Sequence, residues 1–472
     1  MKSVIKHAHF PGNLVMVGFG GIGQAVLPLL FRHLEILPQQ AKIIAADQSG
    51  VAIAREFGVT FLQHTLTRQN YISVLEPFLN KGDFLLNLSV DISSLALIEL
   101  CRQRNALYLD TCIEPWPGGY IDSSKPVSQR TNYALREEIL AYGRANGLGP
   151  TAVVTQGANP GLASIFVKQA LLDIAADSSI AVKKPACHED WASLACHLGI
   201  KVIHIAERDT QATARRKQRD EFVNTWSVDA FISEGLQPSE MGWGTHEQHW
   251  PEDGARHGSG CDAAIYLNRP GASTRVRSWT PLEGPYHGFL ITHGESISIT
   301  DHLTLKENGV VVYRPTVNYA YHPCDDAVLS IHEMAGKHWQ PQHNKRIIRD
   351  EIIAGMDELG VLLMGGAKGV YWYGSRLSIE QARRLAPYNN ATSMQVAAGV
   401  LAGMVWALRN PEAGVVEPDD FDHALVLEIA KPYLGEVVGV YGDWTPLRGR
   451  SQLFSEELDK DDPWQFRNMR VR

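Results

Sequence analysis

Gly18, Gly20 and Gly23, in the string Gly18-Phe19-Gly20-Gly21-Ile22-Gly23, carry the Gly-x-Gly-x-x-Gly spacing of a dinucleotide loop. Gly18 makes a tight turn, Gly20 lets a pyrophosphate approach the backbone, and Gly23 lets a helix pack close to a strand. Gly21 and Ile22 complete the predicted cofactor-binding set, at a helix start whose free N–H groups favour an anion. Asp47 ends the apolar run KIIAAD, 24 residues after Gly23. A carboxylate there holds a ribose 2′-hydroxyl and repels a 2′-phosphate, so the predicted cofactor is NAD.

These residues need a strand before the glycines and a helix after them, and LVMVG and QAVLPLLFRHL supply both. Further apolar runs KIIAAD, VTFLQH, FLLNLS and ALYLDT alternate with helical patterns such as SSLALIELCRQRN. The alternation predicts an α/β fold with a Rossmann-type, doubly wound parallel sheet and ligands at the carboxyl ends of its strands. Ser89, Asp91, Thr111 and Glu114 fall just past such ends. A sixth run, TAVVTQG, leads to Asn159-Pro160, which reads as the cap and first turn of the helix LASIFVKQALLDIA. That puts Asn159 at the same edge.

From about residue 180 the texture changes. KVIHIAE, FVNTWS, GFLITHGESISI, GVVVYRPTVNYAYH, GVLLMGG and GVYWYG are rich in β-branched and aromatic residues. They predict a second, largely antiparallel sheet in an α+β domain. The expected division is a Rossmann domain over 1–155 and a second domain over 156–387. Helices in 388–472 are expected to pack back on the first domain, with EELDKDDPWQ as a charged, mobile end.

Composition sets outer bounds. With 472 residues, two or three domains are expected, and 44% hydrophobic with 20% charged residues is ordinary for a globular chain. The net charge of −8 argues against nucleic-acid binding. The longest apolar stretch, Val396–Leu408, has 13 residues, short of the ~20 that span a bilayer, so no membrane partner is expected. The opening MKSVIKH is too short and polar for a leader, and six cysteines without a CxxC read as reduced thiols in the cytoplasm. Cys187-His188 and Cys196-His197 offer zinc-ligand types, but their spacing fits no recurrent module, and no metal is expected.

The strings VGFGGIG, NLSVDISS, YLDTCIEPWPGGY, TQGANPG, HIAERDTQ, FVNTWSVDAFISEG, THGESISITDHL and MDELGVLLMGG stand in one order along nearly the whole chain. In these the sequence resembles the bacterial homospermidine synthases, whose wider relatives are saccharopine reductases and carboxynorspermidine dehydrogenases. The resemblance implies an NAD-dependent aminobutyl transfer that joins two putrescines into homospermidine and releases ammonia. NAD then serves as a prosthetic hydride carrier. It also implies a homodimer, assembled through the substrate-binding second domain, and leaves spermidine open as a further donor.

That chemistry needs groups for diammonium ends and a base for one of them. Trp226 reads either as a core tryptophan or as a ring face for an ammonium. Glu207, at the end of KVIHIAE, and Glu234, in DAFISEG, read as surface acids or as amine ligands; the resemblance selects the second. His293 lies in THGES with Glu295 read on the same strand face, and can shuttle a proton. Asn159 is placed near the nicotinamide and the reacting nitrogen. Asp91 and Glu114 would complete an acidic entrance. Asp357, in MDELG, reads as a turn acid that only the resemblance brings to substrate. A saccharopine-type oxidoreductase is the enzymatic alternative, and wants arginines where Glu207, Glu234 and Trp226 stand. A non-enzymatic NAD-sensing Rossmann protein is the other, and needs no acidic, aromatic pocket.

Overall fold

The computed structural model describes residues 5–180 and 183–471. Residues 1–4, the front of the segment read as carrying no leader, lie outside the described residues, as do 181–182 and 472.

The first sheet has seven parallel strands. Across it run Thr60–Gln63, Ala41–Ala45, Leu14–Val17, Phe84–Asn87, Leu107–Asp110, Gly149–Val153 and Ala413–Val416. The direction of winding reverses between Leu14–Val17 and Phe84–Asn87, and a crevice opens there beyond the strand ends. LVMV, FLLN and LYLD are buried at every residue, which is why they read as unbroken apolar runs rather than alternations. Gly18 follows at φ +84°, and a Cβ there would stand 2.7 Å from the carbonyl oxygen of Leu88. A Cβ on Gly23 would meet the Phe19 ring at 2.9 Å, so Gly23 brings the helix Gly21–His33 down onto its own loop.

The second sheet has ten strands. Its centre is Thr316–His322 beside Val202–Asp209 beside Met356–Met364, followed outward by Val370–Ser378 and Glu436–Gly442. Only the first of these pairings is parallel; the others are antiparallel. The helix Leu162–Asp177 covers Met356–Met364 and Val370–Ser378.

The structure departs from the sequence expectations at several places. GESISITDH is the helix Gly294–His302, not the continuation of a strand. Residues 295–300 are all buried, so no polar face marks the helix, and the alternating isoleucines imitate a strand. The helix after Asn159 starts at Leu162, with Gly161 in the cap position at φ 128°. Asn159 itself precedes a cis bond to Pro160 in the turn before the helix. MDELG lies inside the strand Met356–Met364, with Asp357 fully buried, so Asp357 is not a turn acid. Glu207 does not close its strand, which runs on to Asp209.

The tail divides. The helix Ala391–Arg409 packs on Gly21–His33, and Ala413–Val416, in a region read as helical, is instead a strand that edges the first sheet. Glu436–Gly442, however, joins the second sheet. The segment expected to be mobile is tied to that side as well: Gln465 is fully buried and donates to the His246 carbonyl at 2.8 Å, and Lys201 reaches Asp462 at 2.9 Å. Ala391–Arg409 has the length and mean hydropathy, 1.5, of a membrane-crossing helix, but 89% of its apolar window is buried inside the fold.

Candidate active site

A cavity of about 650 Å³ lies between the carboxyl ends of the first sheet and the second sheet. Gly18, Gly20, Gly21, Ile22, Asp47, Ser89 and Thr111 line one end, and Asn159 lies where the two sides meet. A Cβ on Gly20 or Gly21 would meet nothing within 4 Å, so bare backbone faces open space at the helix start, where a diphosphate fits. Asp47 is exposed at the end of its strand. Hydrogen bonds from Ser49, including its N–H at 2.8 Å, hold the Asp47 carboxyl below its ordinary range. It therefore presents a full charge to a ribose. These residues fit a dinucleotide with a free 2′-hydroxyl.

The other end is acidic and aromatic. Glu207 is buried in the middle of the second sheet, and its Oε2 accepts from both Asn159 Nδ2 and the Tyr319 hydroxyl. Asn159 Nδ2 also donates to the Tyr319 oxygen at 2.7 Å. Tyr319 and Tyr321 alternate on one strand and stack at 5.1 Å. Trp226 is half-buried on the cavity wall, its indole N–H donating to the Tyr321 hydroxyl at 3.0 Å. Ser227 caps the helix Val228–Leu236 by accepting from the Ala230 N–H, and that helix carries Glu234 into the cavity. His293, at the start of Gly294–His302, stands 3.0 Å from Glu295 through Nδ1 and 3.9 Å from Glu234 through Nε2.

Burial drives the electrostatics. It raises the Glu234 carboxyl to about 7 and the Glu114 carboxyl to about 8, and raises Glu207 as well, against the hydrogen bonds from Tyr319 and Asn159. Burial alone would depress His293, but the carboxylates of Glu295, Glu234 and Glu207 outweigh it and raise the imidazole. Glu234 Oε2 is buried and accepts no hydrogen bond among the described residues. The acidic end of the cavity sets Asp91, Glu114, Glu207 and Glu234 against a single histidine, His293, and is short of positive charge. A cationic ligand would supply it.

Most of the predicted residues converge: Asn159, Glu207, Trp226, Glu234, His293, Asp91 and Glu114 all line this one cavity. Three predicted residues do not reach it. Gly23 packs its own loop, Glu295 stands behind His293, and Asp357 gives its carboxylate to the Thr392 hydroxyl at 2.6 Å. Glu295 and His293 do meet, but across a helix start rather than on a strand face. The sequence reading passed over Tyr319, Tyr321 and Asp209. Register could have found them, because Tyr321 pairs with Glu207 and the period of two puts Tyr319 and Asp209 on that same face. The Cys-His pairs do not gather. Among the described residues the one ion-sized group is Glu137, Cys261 and Asp301, and the Arg136 guanidinium already contacts all three.

A Rossmann-type sheet opposed to an acidic, aromatic second domain across a single cleft defines a dinucleotide-dependent enzyme of two domains. Residues 14–153 match the saccharopine dehydrogenase NADP binding domain, and residues 157–443 match the saccharopine dehydrogenase C-terminal domain. A homospermidine synthase of Blastochloris viridis is 55% identical over 98% of both chains. One of Mesorhizobium japonicum is 50% identical over 99% of this chain and 98% of that protein. The crystal structure of the Legionella pneumophila homospermidine synthase in complex with NAD superposes with a TM-score of 0.92, at 52% identity and 98% coverage of each chain. Saccharopine dehydrogenase of Saccharomyces cerevisiae, at 10% identity and a TM-score of 0.50 over 91% of this chain and all of that one, shares the fold. The chain belongs to the saccharopine dehydrogenase family and, within it, to the homospermidine synthases.

Proposed function

We propose that the enzyme joins two putrescines into homospermidine, releasing one ammonia, with NAD retained between the two redox halves. The observation that carries this reading is the unbalanced acidic pocket at the nicotinamide end of a dinucleotide cleft. It suits a diamine and is hostile to the dicarboxylate of a saccharopine-type substrate. The cofactor is NAD. Bound there, it would supply a hydride acceptor for an amine-bearing carbon of the first putrescine and, once reduced, a hydride donor for the carbon of the new imine.

The residues divide the remaining work. The free oxygen of Glu234 takes the distal ammonium. Trp226 turns its ring toward the cationic nitrogen, a contact that contributes about 2 kcal/mol or more when desolvated. His293, held through Nδ1 by Glu295, takes the proton that the reacting ammonium must lose before hydride can leave. Glu207, oriented by Asn159 and Tyr319, steadies the iminium while ammonia departs and the second amine adds. Asp91, exposed at the cavity wall, draws dications in, and Glu114 lies buried beside it. Glu295 and Asp357 act through neighbours rather than by touching substrate.

The reading includes a homodimer and a cytoplasmic location. All six cysteines are free thiols, which suits a reducing compartment. Sedimentation tests the first.

The chemical test uses putrescine deuterated at both amine-bearing carbons, with unlabelled NAD at catalytic concentration. Essentially complete retention of label in homospermidine, one ammonia per homospermidine and no steady NADH are expected. Stoichiometric NADH with free aminobutanal would mark a simple amine dehydrogenase.

A further inference from the structure

Arg349 is the one arginine or lysine among the described residues that line the cavity, whose carboxylates are Asp47, Asp91, Glu114, Glu207, Asp229 and Glu234. A permanent cation in this wall repels a dicationic substrate, so its position within the cavity decides what it serves. It stands at the glycine-loop end. The Arg349 guanidinium donates through Nη1 to Gln24 Oε1 at 2.7 Å, and Gln24 Nε2 donates to the Phe19 carbonyl at 3.0 Å, inside the loop itself. Gln24 belongs to the first turns of Gly21–His33, the helix that begins at the bare backbone of Gly20 and Gly21.

Arg349 does not come from the first sheet. It follows the strand Asn344–Ile347, which pairs with Glu221–Asn224 just before Trp226. Its turn is pinned by Arg383, whose Nη2 donates to the carbonyls of Arg349, Asp350 and Ile352 at 3.1, 3.0 and 2.8 Å. The side chain is 28% exposed, and its nearest acid, Asp350, lies 4.0 Å from Nε and is 89% exposed. Beyond Gln24 the guanidinium makes no further hydrogen bond among the described residues. A guanidinium offers five donors in a rigid fork that matches phosphate oxygens, and most of this fork is unspent.

We propose that Arg349 reaches across the cleft to the diphosphate of the bound dinucleotide and clamps it against the glycine loop. The cofactor then stays in place between taking up the hydride and returning it. This rests on the NAD reading above and extends it: retention is performed by a residue of the substrate side, which leaves the acidic end free for amines.

The test is calorimetric titration of the full-length protein, as wild type, Arg349→Ala and Arg349→Lys, with NAD, ADP and adenosine separately. Loss of a charged hydrogen bond weakens NAD and ADP by roughly tenfold or more in Arg349→Ala. Adenosine, which has no phosphate, is expected to bind all three proteins alike. Arg349→Lys is expected to recover part of the loss, because it keeps the charge without the fork. Bound NAD carried through desalting, measured by absorbance after denaturation, is expected to fall in the same order. Unchanged NAD and ADP affinity in Arg349→Ala would overturn the proposal. So would an equal weakening of adenosine, which would make Arg349 a support for the loop through Gln24. If Arg349→Ala fails to fold, as judged by its thermal melt, Arg349→Lys carries the same comparison. If the wild type itself binds none of the three, the NAD reading fails rather than the clamp.

Discussion

Replacing Glu234 with glutamine keeps the volume and one acceptor oxygen and removes a charge whose nearest counter-group, the His293 imidazole, stands 3.9 Å away. Glu234 is 8% exposed, lies 3.9 Å from His293 Nε2, and leaves Oε2 without a hydrogen-bond donor. A substrate ammonium is the donor this oxygen lacks. Hydrogen bonds to charged groups contribute about 1.5–3 kcal/mol, so the putrescine KM is expected to rise ~10–150-fold. The measurement belongs on the alkaline side of the Glu234 value of about 7, where the wild-type carboxyl is ionised. Two further readouts separate this role from a structural one. NAD affinity is expected to hold, because Glu234 lies at the opposite end of the cavity from Asp47. The pH profile of kcat is expected to shift to lower pH, because Glu234 is one of the carboxylates that raise His293. A KM near the wild-type value, or NAD and putrescine weakened together, would refute the reasoning.

Trp226→Phe is expected to keep much more activity than Trp226→Ala, since Phe retains a ring face; equal losses in two folded variants would mean that the indole N–H to Tyr321 is what matters. Asp47→Ala is expected to relax the preference for NAD over NADP, measured as the ratio of the two kcat/KM values; a wild type that favours NADP would contradict the role given to Asp47. Putrescine binding is expected to release protons and to tighten as pH rises through about 7 to 8, because Glu234 and Glu114 hold protons there that a dication displaces. The sign for stability follows: these raised carboxyls favour the folded free protein at low pH, their contribution is lost as pH rises through those values, and putrescine restores it. Calorimetry in buffers of different ionisation enthalpy, with melts on either side of that window, checks both.

Six of the first sheet's seven strands were legible, the central ones because they are short and buried at every residue, so apolar runs locate them; Ala413–Val416, short and only partly buried, was not. The site was legible in part. Asn159 and Glu207 meet only because the edge of one sheet faces the centre of the other, and the strings that carry them lie 48 residues apart. What the sequence hid was hidden by complete burial. The helix Gly294–His302 has no solvent face to impose a period of 3.6, and its alternating isoleucines imposed a period of two instead. Asp357 looked like a turn residue because acids are rarely fully buried. Its cross-strand partner is Asp209, and threonines from two other segments, Thr225 and Thr392, donate to this pair of carboxyls. No local pattern reports a partnership of that kind. Tyr319 and Tyr321 were passed over because fifteen tyrosines give no reason to choose two until register does.

The path of the chain between its two sheets has a consequence for synthesis. The polypeptide builds six strands of the first sheet, then most of the second, returns for Ala413–Val416, and finally adds Glu436–Gly442 to the second. A ribosome that has released residues 1–155 has therefore made every glycine and acid that faces the dinucleotide on that side, but not the sheet's last strand or the helix Ala391–Arg409 that covers it. The nascent nucleotide half must wait, with one edge unpaired and one face uncovered, for more than two hundred further residues to emerge. Cofactor retention is thus expected only once the chain has been made as far as Ala413–Val416. A product truncated before residue 391 would carry the whole glycine motif and still be expected to lose NAD, unfold locally and be degraded.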